Sequence, residues 1–362
     1  MNSNPRIVSV VGARPQFVKL APLVQPLSKR FEHLIVHTGQ HFDDNMSAHF
    51  FRQLNLPEIY RNLGVQGGSH ATMIGRMLIR LEKVFRKSQP DLVLVYGDAN
   101  STLAGALTAV KQSTPVIHIE AGMRADGTNL PEEINRRLTD NLSELLFCVT
   151  DKALQNLHSE RLEGRAILSG DLMLELLNNM RTAIRDNTGF LKLYGLTQKQ
   201  YLLLTVHRPS TTDEHNSLKK LVSIVNNLQQ PILFPLHPRT RKMLRRFRLL
   251  KRLENIPHLV ITEPLDYLDN LTATRNAFAV LTDSGGLQKE ALALGTPVLT
   301  LRRETEWVDT LERGNTLVGL DWKRISSGLS QLPKVPRFGY RINGKRPSQI
   351  IVREIVRFLR SS

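Results

Sequence analysis

The sequence has only one cysteine, Cys148, among its 362 residues. A lone cysteine cannot close a disulfide within the chain, and it cannot build a cysteine-rich zinc or iron–sulfur site. Long apolar runs are also missing. The stretch at residues 7–11 is too short for the apolar core of a signal peptide, and no stretch reaches the roughly 18 residues of a membrane-spanning helix. These absences predict a cytoplasmic protein with no membrane insertion.

Common nucleotide and nucleic-acid signatures are missing as well. The first predicted strand is not followed by G-x-G-x-x-G, and the chain has no Walker A lysine motif, which argues against the familiar dinucleotide and P-loop sites. Helix-turn-helix, zinc-finger and RRM patterns are absent too. Aromatic residues make up 6% of the chain and hydrophobic residues 41%. The length and this composition predict a globular protein of two domains with sizeable cores.

Positive charge is what the sequence has in excess. The formal net charge is +16, and +13 of it falls in residues 171–362, largely at 239–252 and 337–360. Such an excess of positive charge makes a basic nucleic-acid-binding protein an alternative to an enzyme. Neither segment has aromatic residues interleaved at the spacing that base stacking needs. We therefore expect no nucleic-acid partner, and a surface that steers an anionic substrate, contacts a partner or is simply solvated.

Short β-branched apolar runs alternate with longer amphipathic stretches, which is typical of βαβ units and a parallel sheet. In the first half the pattern predicts strands at residues 6–11, 33–37, 91–96, 115–119 and 145–149, and helices at 15–29, 70–87, 101–111 and 131–141. It restarts with strands at 201–206, 231–235, 259–261, 279–281 and 298–301, and helices at 217–228, 284–293 and 305–312. We expect an α/β chain with domains at 1–170 and 171–347, and a C-terminal helix at 348–362 packing back on the first domain.

Ligands of open α/β sheets bind beyond the carboxyl ends of the strands, so polar residues just after strands are the candidates. In the first half these are Arg14, Asp98, Glu120 and the acidic start of the helix at Glu132. Three of them have a structural explanation, namely a turn arginine for Arg14, a helix cap for Asp98 and a favourable helix dipole for Glu132, whereas Glu120 lies at a strand end where no cap is obviously needed. Three carboxylates on one edge of a sheet are nevertheless what acid–base chemistry requires.

In the second half, His207 and His237 each follow a strand directly. A single histidine in such a place is more often structural than catalytic. More informative is the turn Ser284-Gly285-Gly286 after another strand, because main-chain N–H groups and a helix dipole can meet a phosphate there. Glu290, one turn later, can accept both hydroxyls of a ribose. Together these residues predict a nucleoside-diphosphate site.

These motifs, taken in order, resemble the non-hydrolysing UDP-N-acetylglucosamine 2-epimerases over about residues 6–320. The resemblance rests on Gly12-Ala13-Arg14-Pro15, His37-Thr38-Gly39-Gln40-His41, Gly97-Asp98, His118-Ile119-Glu120-Ala121-Gly122-Met123-Arg124, Pro131-Glu132-Glu133-Ile134-Asn135-Arg136, His207-Arg208, His237-Pro238, Glu263-Pro264-Leu265-Asp266-Tyr267-Leu268 and Thr282-Asp283-Ser284-Gly285-Gly286-Leu287-Gln288. It implies a GT-B type fold of two Rossmann-like doubly wound domains with the active site in the interdomain cleft, and a homodimer.

The resemblance also implies reversible inversion at C2 of a UDP-2-acetamido sugar, for polysaccharide precursor synthesis. UDP is eliminated to leave a 2-acetamidoglucal and is then added back, a chemistry that requires no metal or redox cofactor. By position, the catalytic residues are Asp98, Glu120, Glu132 and His207. The UDP- or sugar-contacting residues are Arg14, Lys19, Arg136, His237, Ser284, Gly285, Gly286 and Glu290. Gln40 and His41 match a region that binds a second, regulatory UDP-GlcNAc in some members.

The sequence departs from the family pattern at three places. Pro209-Ser210-Thr211-Thr212 stands where a charged run is usual, Lys289 replaces a common acid, and Glu304-Thr305-Glu306-Trp307-Val308 replaces the usual Thr-Glu-Arg-Pro-Glu. With Gln16-Phe17, the last departure resembles the branch that contains the UDP-2,3-diacetamido-2,3-dideoxyglucuronate 2-epimerases. That activity is one alternative. A hydrolysing 2-epimerase that releases UDP and a GT-B glycosyltransferase are the others of the enzyme class.

Overall fold

The computed structural model describes residues 4–40, 53–54, 56–125, 130–187, 189–335 and 344–361. It consists of two compact units, one formed by Met1–Asn178 with Tyr340–Ser362 and the other by Asn179–Gly339. The boundaries expected from the sequence, at 170/171 and 347/348, lie eight residues from these divisions. Glu175 accepts hydrogen bonds from the main-chain N and the Oγ of Ser348 at 2.9 and 2.6 Å. The segment after residue 170 therefore stays with the first unit.

The first unit contains a seven-stranded parallel sheet with strand order β3-β2-β1-β4-β5-β6-β7. Its strands are β1 (Arg6–Val11), β2 (Glu32–His37), β3 (Arg61–Asn62), β4 (Leu92–Tyr96), β5 (Val116–Ala121), β6 (Leu145–Cys148) and β7 (Arg165–Leu168). Its helices, as far as the domain boundary, are α1 (Arg14–Ser28), α2 (His70–Ser88), α3 (Asn100–Lys111), α4 (Pro131–Asn141), α5 (Asp151–Glu160) and α6 (Leu172–Asn179). All five residues of β4 and all six of β5 are buried, as expected for strands covered by helices on both faces.

The second unit contains a six-stranded parallel sheet with strand order β10-β9-β8-β11-β12-β13. Its strands are β8 (Leu202–Thr205), β9 (Ile232–Pro235), β10 (Leu259–Thr262), β11 (Ala279–Thr282), β12 (Val298–Thr300) and β13 (Asn315–Leu317). Its helices are α7 (Arg181–Asp186), α8 (Gly189–Leu193), α9 (Pro209–Thr212), α10 (His215–Asn227), α11 (Pro238–Arg246), α12 (Leu250–Glu254), α13 (Tyr267–Asn276), α14 (Gly285–Ala293) and α15 (Trp322–Ser330), with a 3-10 helix at Val308–Arg313. The fold class predicted from the sequence, two Rossmann-like doubly wound domains, is confirmed.

Strand order explains where each unit places its polar residues. In the first sheet β1 lies between β2 and β4, and in the second β8 lies between β9 and β11. Successive strands are therefore added first on one side of the central strand and then on the other. At the point where the direction reverses, a crevice opens at the carboxyl ends of the strands. The turns after β1, β4 and β5 meet at this edge of the first sheet, and those after β8 and β11 meet in the second.

The sequence pattern misses or misplaces several elements. The short strands β3, β7 and β13 are absent from the prediction. All three lie at the edges of their sheets and are less buried than the central strands, so they lack a continuous buried apolar run. The helix expected at 305–312 is a 3-10 helix that begins at Val308.

The last helix, α16 (Pro347–Ser361), packs against α1 within the first unit. Its buried side is apolar and includes Ile350, Ile351 and Ile355, whereas Arg353 and Arg357 pair with Glu354. None of the described helices combines the length and the apolar composition that crossing a membrane requires.

Candidate active site

Two carboxylates occupy the carboxyl edge of the first sheet. Asp98 follows β4 and forms an ion pair with Arg136 of α4. Glu120 is the penultimate residue of β5, and its Oε1 lies 2.7 Å from Nζ of Lys19 in α1. Asp98 does not cap α3, since the residue at that N-cap is Ala99, which makes no side-chain cap bond. The structural explanation offered for Asp98 from the sequence is therefore wrong.

The backbone at Glu120 is strained. Its φ is +73°, a left-handed value that non-glycine residues rarely adopt, and the pairing of β5 with β6 shifts register between Ile119 and Ala121. Gly97, with φ +62°, faces it, and a Cβ there would lie 2.9 Å from Nζ of Lys19. Strain of this kind at a polar strand end is typical of functional sites.

The acidic start of α4 divides into one exposed and one buried carboxylate. Glu132 is exposed, whereas Glu133 is fully buried and accepts hydrogen bonds from Arg136 at 3.0 Å and Arg137 at 3.2 Å. Glu133 and Arg137, four residues apart on α4, form an ion pair. Arg136 pairs with both Asp98 and Glu133, so Glu133 orients the arginine that faces Asp98. Sequence reasoning selected Glu132 and not Glu133.

A second buried network lies directly behind these carboxylates. Nδ1 of His118 lies 2.7 Å from Oδ1 of Asp140, and Nε2 lies 2.7 Å from the carbonyl oxygen of Gly97. Arg124 donates to the other Asp140 oxygen at 2.8 Å. Burial raises the pKa of Asp140, but the hydrogen bonds and charges of His118 and Arg124 outweigh it, so the pKa is lower than usual.

The turn after β1 is held by a glutamine that sequence reasoning did not select. The Gln16 Oε1 atom accepts from the main-chain N of Gly12 at 2.7 Å and of Ala13 at 2.9 Å, and its Nε2 donates to the carbonyl of Tyr96. This side chain ties the start of α1 to the end of β4. Arg14 is the first residue of α1 and is half-buried.

The region expected to hold a regulatory ligand is described only in part. The Gln40 Oε1 atom accepts a hydrogen bond from the main-chain N of Ser101 at 3.2 Å, at the start of α3. His41 lies outside the described residues.

In the second unit, His207 follows β8 and is anchored by Asp283, which follows β11. The main-chain N atoms of His207 and Arg208 donate to the Asp283 carboxylate at 3.1 and 2.9 Å, and Nδ1 of His207 lies 3.6 Å from it. Burial lowers the pKa of His207, opposed by the charge of Asp283 and reinforced by Arg208 and Arg239. The ring centroids of His207 and His237 are 5.4 Å apart, so the structure brings these two predicted residues together.

His237 also has a structural role. It is the N-cap of α11, where its Nδ1 accepts from the main-chain N of Arg239 at 3.2 Å. Its ring is thereby oriented before any ligand is bound.

The turn Ser284-Gly285-Gly286 begins α14, as the sequence predicts. Ser284 is the N-cap, and its side chain accepts from the main-chain N of Leu287. A Cβ at Gly285 would lie 2.5 Å from Oε1 of Glu306, so glycine is required by the close approach of that side chain. The Oε1 atom of Glu290, further along α14, accepts from the Tyr267 hydroxyl at 2.9 Å.

The loop that covers this turn carries a buried acid between two arginines. The Glu306 carboxylate lies 3.0 Å from Nη2 of Arg208 and 2.8 Å from Nη1 of Arg302. Burial raises the pKa of Glu306, but the two arginines outweigh it and lower the pKa to about 2. Beside it, Nζ of Lys289 lies 3.4 Å from the ring centroid of Trp307, a cation–π contact. The two residues that depart from the family pattern are therefore in contact with each other.

Among the described residues, no group of three His, Cys, Asp or Glu side chains is placed to hold a metal ion. The cations and main-chain donors of the two sheet edges are suited to an anionic ligand instead. In the first unit these are Arg14, Lys19 and Arg136, and in the second they are Arg208 and the N-terminus of α14.

Residues 26–341 match the family model for UDP-N-acetylglucosamine 2-epimerase. The chain belongs to this family. A UDP-N-acetylglucosamine 2-epimerase homolog of Methanococcus maripaludis is 42% identical over 98% of this chain and 100% of its own length. The UDP-2,3-diacetamido-2,3-dideoxy-D-glucuronate 2-epimerase of Pseudomonas aeruginosa is 41% identical over 87% of this chain and 88% of its own.

A solved structure supports the same family and the GT-B type of fold. The crystal structure of Methanocaldococcus jannaschii UDP-GlcNAc 2-epimerase, in complex with UDP-GlcNAc and UDP, is 36% identical and has a TM-score of 0.91, covering 97% of this chain and 99% of that one. As an epimerase of the UDP-GlcNAc family, the protein needs acid–base groups at the sugar and an anion site for the nucleotide. The two sheet edges contain side chains of both kinds.

Proposed function

We propose that this epimerase inverts C2 of a UDP-2-acetamido sugar, UDP-GlcNAc to UDP-ManNAc, reversibly and without net hydrolysis. The observation that carries the proposal is the pair of carboxylates Asp98 and Glu120 at neighbouring strand ends, each held by a cation from another element. Two acid–base groups are needed, since a base restricted to one face of C2 would only restore the starting sugar. The product is a precursor for polysaccharide synthesis.

The reaction begins with elimination. The C1–O bond breaks and its electron pair leaves with UDP, a carboxylate takes the C2 proton, and a C1–C2 double bond forms to give a 2-acetamidoglucal. A proton then returns to the opposite face of C2 while a UDP oxygen attacks C1, so atoms and charge balance. Expulsion of UDP leads, because a C2 proton with no adjacent carbonyl is poorly acidic.

The residues divide the work as follows. Asp98, Glu120 and Glu132 carry the proton transfers, with Lys19 fixing the orientation of the Glu120 carboxylate. His207 acts near the bond that joins the sugar to the diphosphate. The departing diphosphate is stabilised by preorganised donors, namely Arg14, Arg136, His237, Ser284, Gly285 and Gly286. Glu290, oriented by Tyr267, binds the ribose hydroxyls. Gln40 and His41 would contact a second, regulatory UDP-GlcNAc.

A second substrate has support of its own. The relative named as a UDP-2,3-diacetamido-2,3-dideoxy-D-glucuronate 2-epimerase is 41% identical to this chain. A uronate carboxylate adds a negative charge to the sugar, and arginine is the side chain that pairs best with it. The uronate is therefore the alternative substrate for the same reaction.

Proton NMR of the purified enzyme in D2O tests the reaction and the substrate together. We expect deuterium at C2 of both epimers with one of two substrates, UDP-GlcNAc or the UDP-2,3-diacetamido uronate. Epimer formation without deuterium at C2 would exclude the elimination route. Free UDP accumulating in step with free sugar would indicate a hydrolysing enzyme, and inertness of both substrates would overturn the proposal. The Glu82→Gln variant, changed at an exposed acid of α2, serves as a matched control for the carboxylate variants.

We also propose a homodimer in the cytoplasm. Ile134 and Leu138 are about half exposed, at 47% and 48%, and lie one turn apart on α4. The adjacent helices α3 and α2 each expose one apolar residue, Val110 and Ile79. Light scattering should give twice the chain mass, and Ile134→Glu should halve it. A wild-type chain that is monomeric at micromolar concentration would contradict this part.

A further inference from the structure

We propose that His118 and Asp140 form a buried positioning pair that fixes the backbone carrying Asp98 and Glu120, and that His118 does so by donating hydrogen bonds from both ring nitrogens. The kinetic consequences rest on the proposed function. The hydrogen-bonding part stands on the geometry of the first unit alone.

The partners of His118 determine where its protons lie. The side chain is fully buried, with Nδ1 2.7 Å from Oδ1 of Asp140 and Nε2 2.7 Å from the carbonyl oxygen of Gly97. A carbonyl oxygen only accepts, and so does an ionised carboxylate. Both ring nitrogens must therefore donate, which makes the ring an imidazolium next to a carboxylate.

Asp140 holds the chain on both sides of Glu120. Its Oδ1 binds His118, two residues before Glu120, and its Oδ2 accepts from the main-chain N of Gly122, two residues after it, at 3.2 Å. Glu120 itself has φ +73°. Such a conformation is unfavourable for a residue with a side chain and persists only where the surroundings enforce it. Asp140 supplies that enforcement from both sides of the residue.

His118 extends the same hold to Asp98. Gly97, the residue before Asp98, donates from its main-chain N to the carbonyl of Ile119 at 2.8 Å and accepts from Nε2 of His118. The main-chain N–H and the carbonyl of Gly97 thus both bind β5, and they fix the turn that carries Asp98. One buried pair therefore sets the backbone of both proposed proton-transfer carboxylates.

A further charged side chain, Arg124, also binds Asp140. Arg124 donates to Oδ2 of Asp140 at 2.8 Å and pairs with Glu160 at 2.6 Å. Replacing Asp140 with asparagine keeps the shape but puts an amide NH2 where an oxygen accepts from either His118 or Gly122. Replacing His118 with glutamine leaves one donor group for two acceptors. Both substitutions remove some of the hydrogen bonds that hold the backbone around Asp98 and Glu120, and neither opens a large cavity.

The first test is NMR of the intact protein labelled with 15N-histidine. We expect both ring nitrogens of His118 to carry protons in the folded protein, because each faces an acceptor, with the assignment made by loss of the signals in His118→Gln. A ring with one unprotonated nitrogen overturns the proposal. This measurement needs no substrate, so its outcome is independent of whether the proposed reaction is correct.

The second test is kinetic. We expect Asp140→Asn and His118→Gln to lower kcat by about 30- to 100-fold, because a misplacement of about 1 Å in a catalytic group can cost 10²-fold, with KM changed by no more than about threefold. The exposed acid Asp151 provides the matched control Asp151→Asn, with unchanged kcat. Activity is referred to the folded fraction measured by circular dichroism.

A purely structural role predicts a different result, namely a lower melting temperature with kcat per folded molecule unchanged, and that result overturns the proposal. So does a rise in KM alone. If Asp140→Asn does not fold, Asp140→Glu keeps the charge and replaces it in the test. It should retain more of kcat than His118→Gln, because it still accepts from His118 and Gly122.

Discussion

The carboxyl edges of the two sheets have the same strand order, but different polar groups line the turns that follow their strands. At the first edge, Lys19 pairs with Glu120 and Arg136 with Asp98, so charged side chains neutralise each other inside the fold. At the second edge, the turn before α14 is bordered by hydroxyls and main-chain N–H groups, with Thr205 and Thr282 bonded at 2.7 Å. The difference teaches that strand order places a site, while the residues in the turns decide its chemistry.

Each edge is suited to a different part of the proposed reaction. Carboxylates held in fixed ion pairs are ready to move protons, whereas a glycine turn with main-chain donors is ready to hold an anion. Substitutions at the two edges should therefore change different kinetic quantities. Changes at the first edge should act on kcat, and changes at the turn of the second edge should act on the binding of UDP.

The largest effect is expected at the proposed acid–base groups. Asp98→Asn and Glu120→Gln should each lower kcat by about 10³-fold, within the range of general acid–base catalysis, with KM changed much less. Steady-state kinetics of C2 epimerisation measure this, beside Glu82→Gln. A tenfold rise in KM with kcat intact would mean that Asp98 and Glu120 hold the substrate rather than move protons, and the comparison would fail.

The buried ion pair of Lys19 with Glu120 should contribute strongly to stability. Lys19→Met removes the ammonium group that faces the buried Glu120 carboxylate, which costs about 3–5 kcal/mol. The exposed pair of Arg86 with Glu82 gives the contrast, since Arg86→Met should cost less than about 0.5 kcal/mol. Urea unfolding measures the free energy of unfolding of both variants. Equal losses of stability would show that the Lys19–Glu120 pair is solvated.

The buried acid of the second unit makes stability depend on pH. Because the folded-state pKa of Glu306 is about 2, below the usual glutamate value of 4.5, its contribution of about 3 kcal/mol is complete above pH 4.5 and lost as the pH falls towards 2. The gap in melting temperature between wild type and Glu306→Gln should be full at pH 6 and shrink by pH 3. The exposed neighbour gives the control Glu304→Gln, and a gap that does not change with pH would refute the assignment.

The smallest effect is expected at the glycine turn. A methyl group in Gly285→Ala meets Oε1 of Glu306 at 2.5 Å, and the shift of the turn should raise the Kd for UDP about tenfold, or 1.4 kcal/mol. Gly189→Ala is the control from the same unit, because a Cβ there has open space. Calorimetry with UDP measures both. A fall in kcat with UDP affinity unchanged would reverse the assignment of the two edges.

The sequence alone was sufficient for the fold class and for the sheet edge at which the candidate residues lie. Buried apolar runs separated by amphipathic stretches specify a parallel sheet, and a parallel sheet puts every following turn at one edge. That is why Asp98, Glu120, His207 and Ser284 could be selected without any coordinates. The motifs added the family, which the comparisons confirm.

Pairing between distant segments was decided only by the tertiary structure. Lys19 and Glu120 are 101 residues apart, and which of Glu132 and Glu133 is buried depends on how α4 turns against the sheet. His118, Asp140 and Gln16 look like ordinary strand and helix residues, because their partners come from other elements. A sequence pattern records local period and propensity, whereas hydrogen bonds and ion pairs of this kind form only when the strand order has brought the turns together.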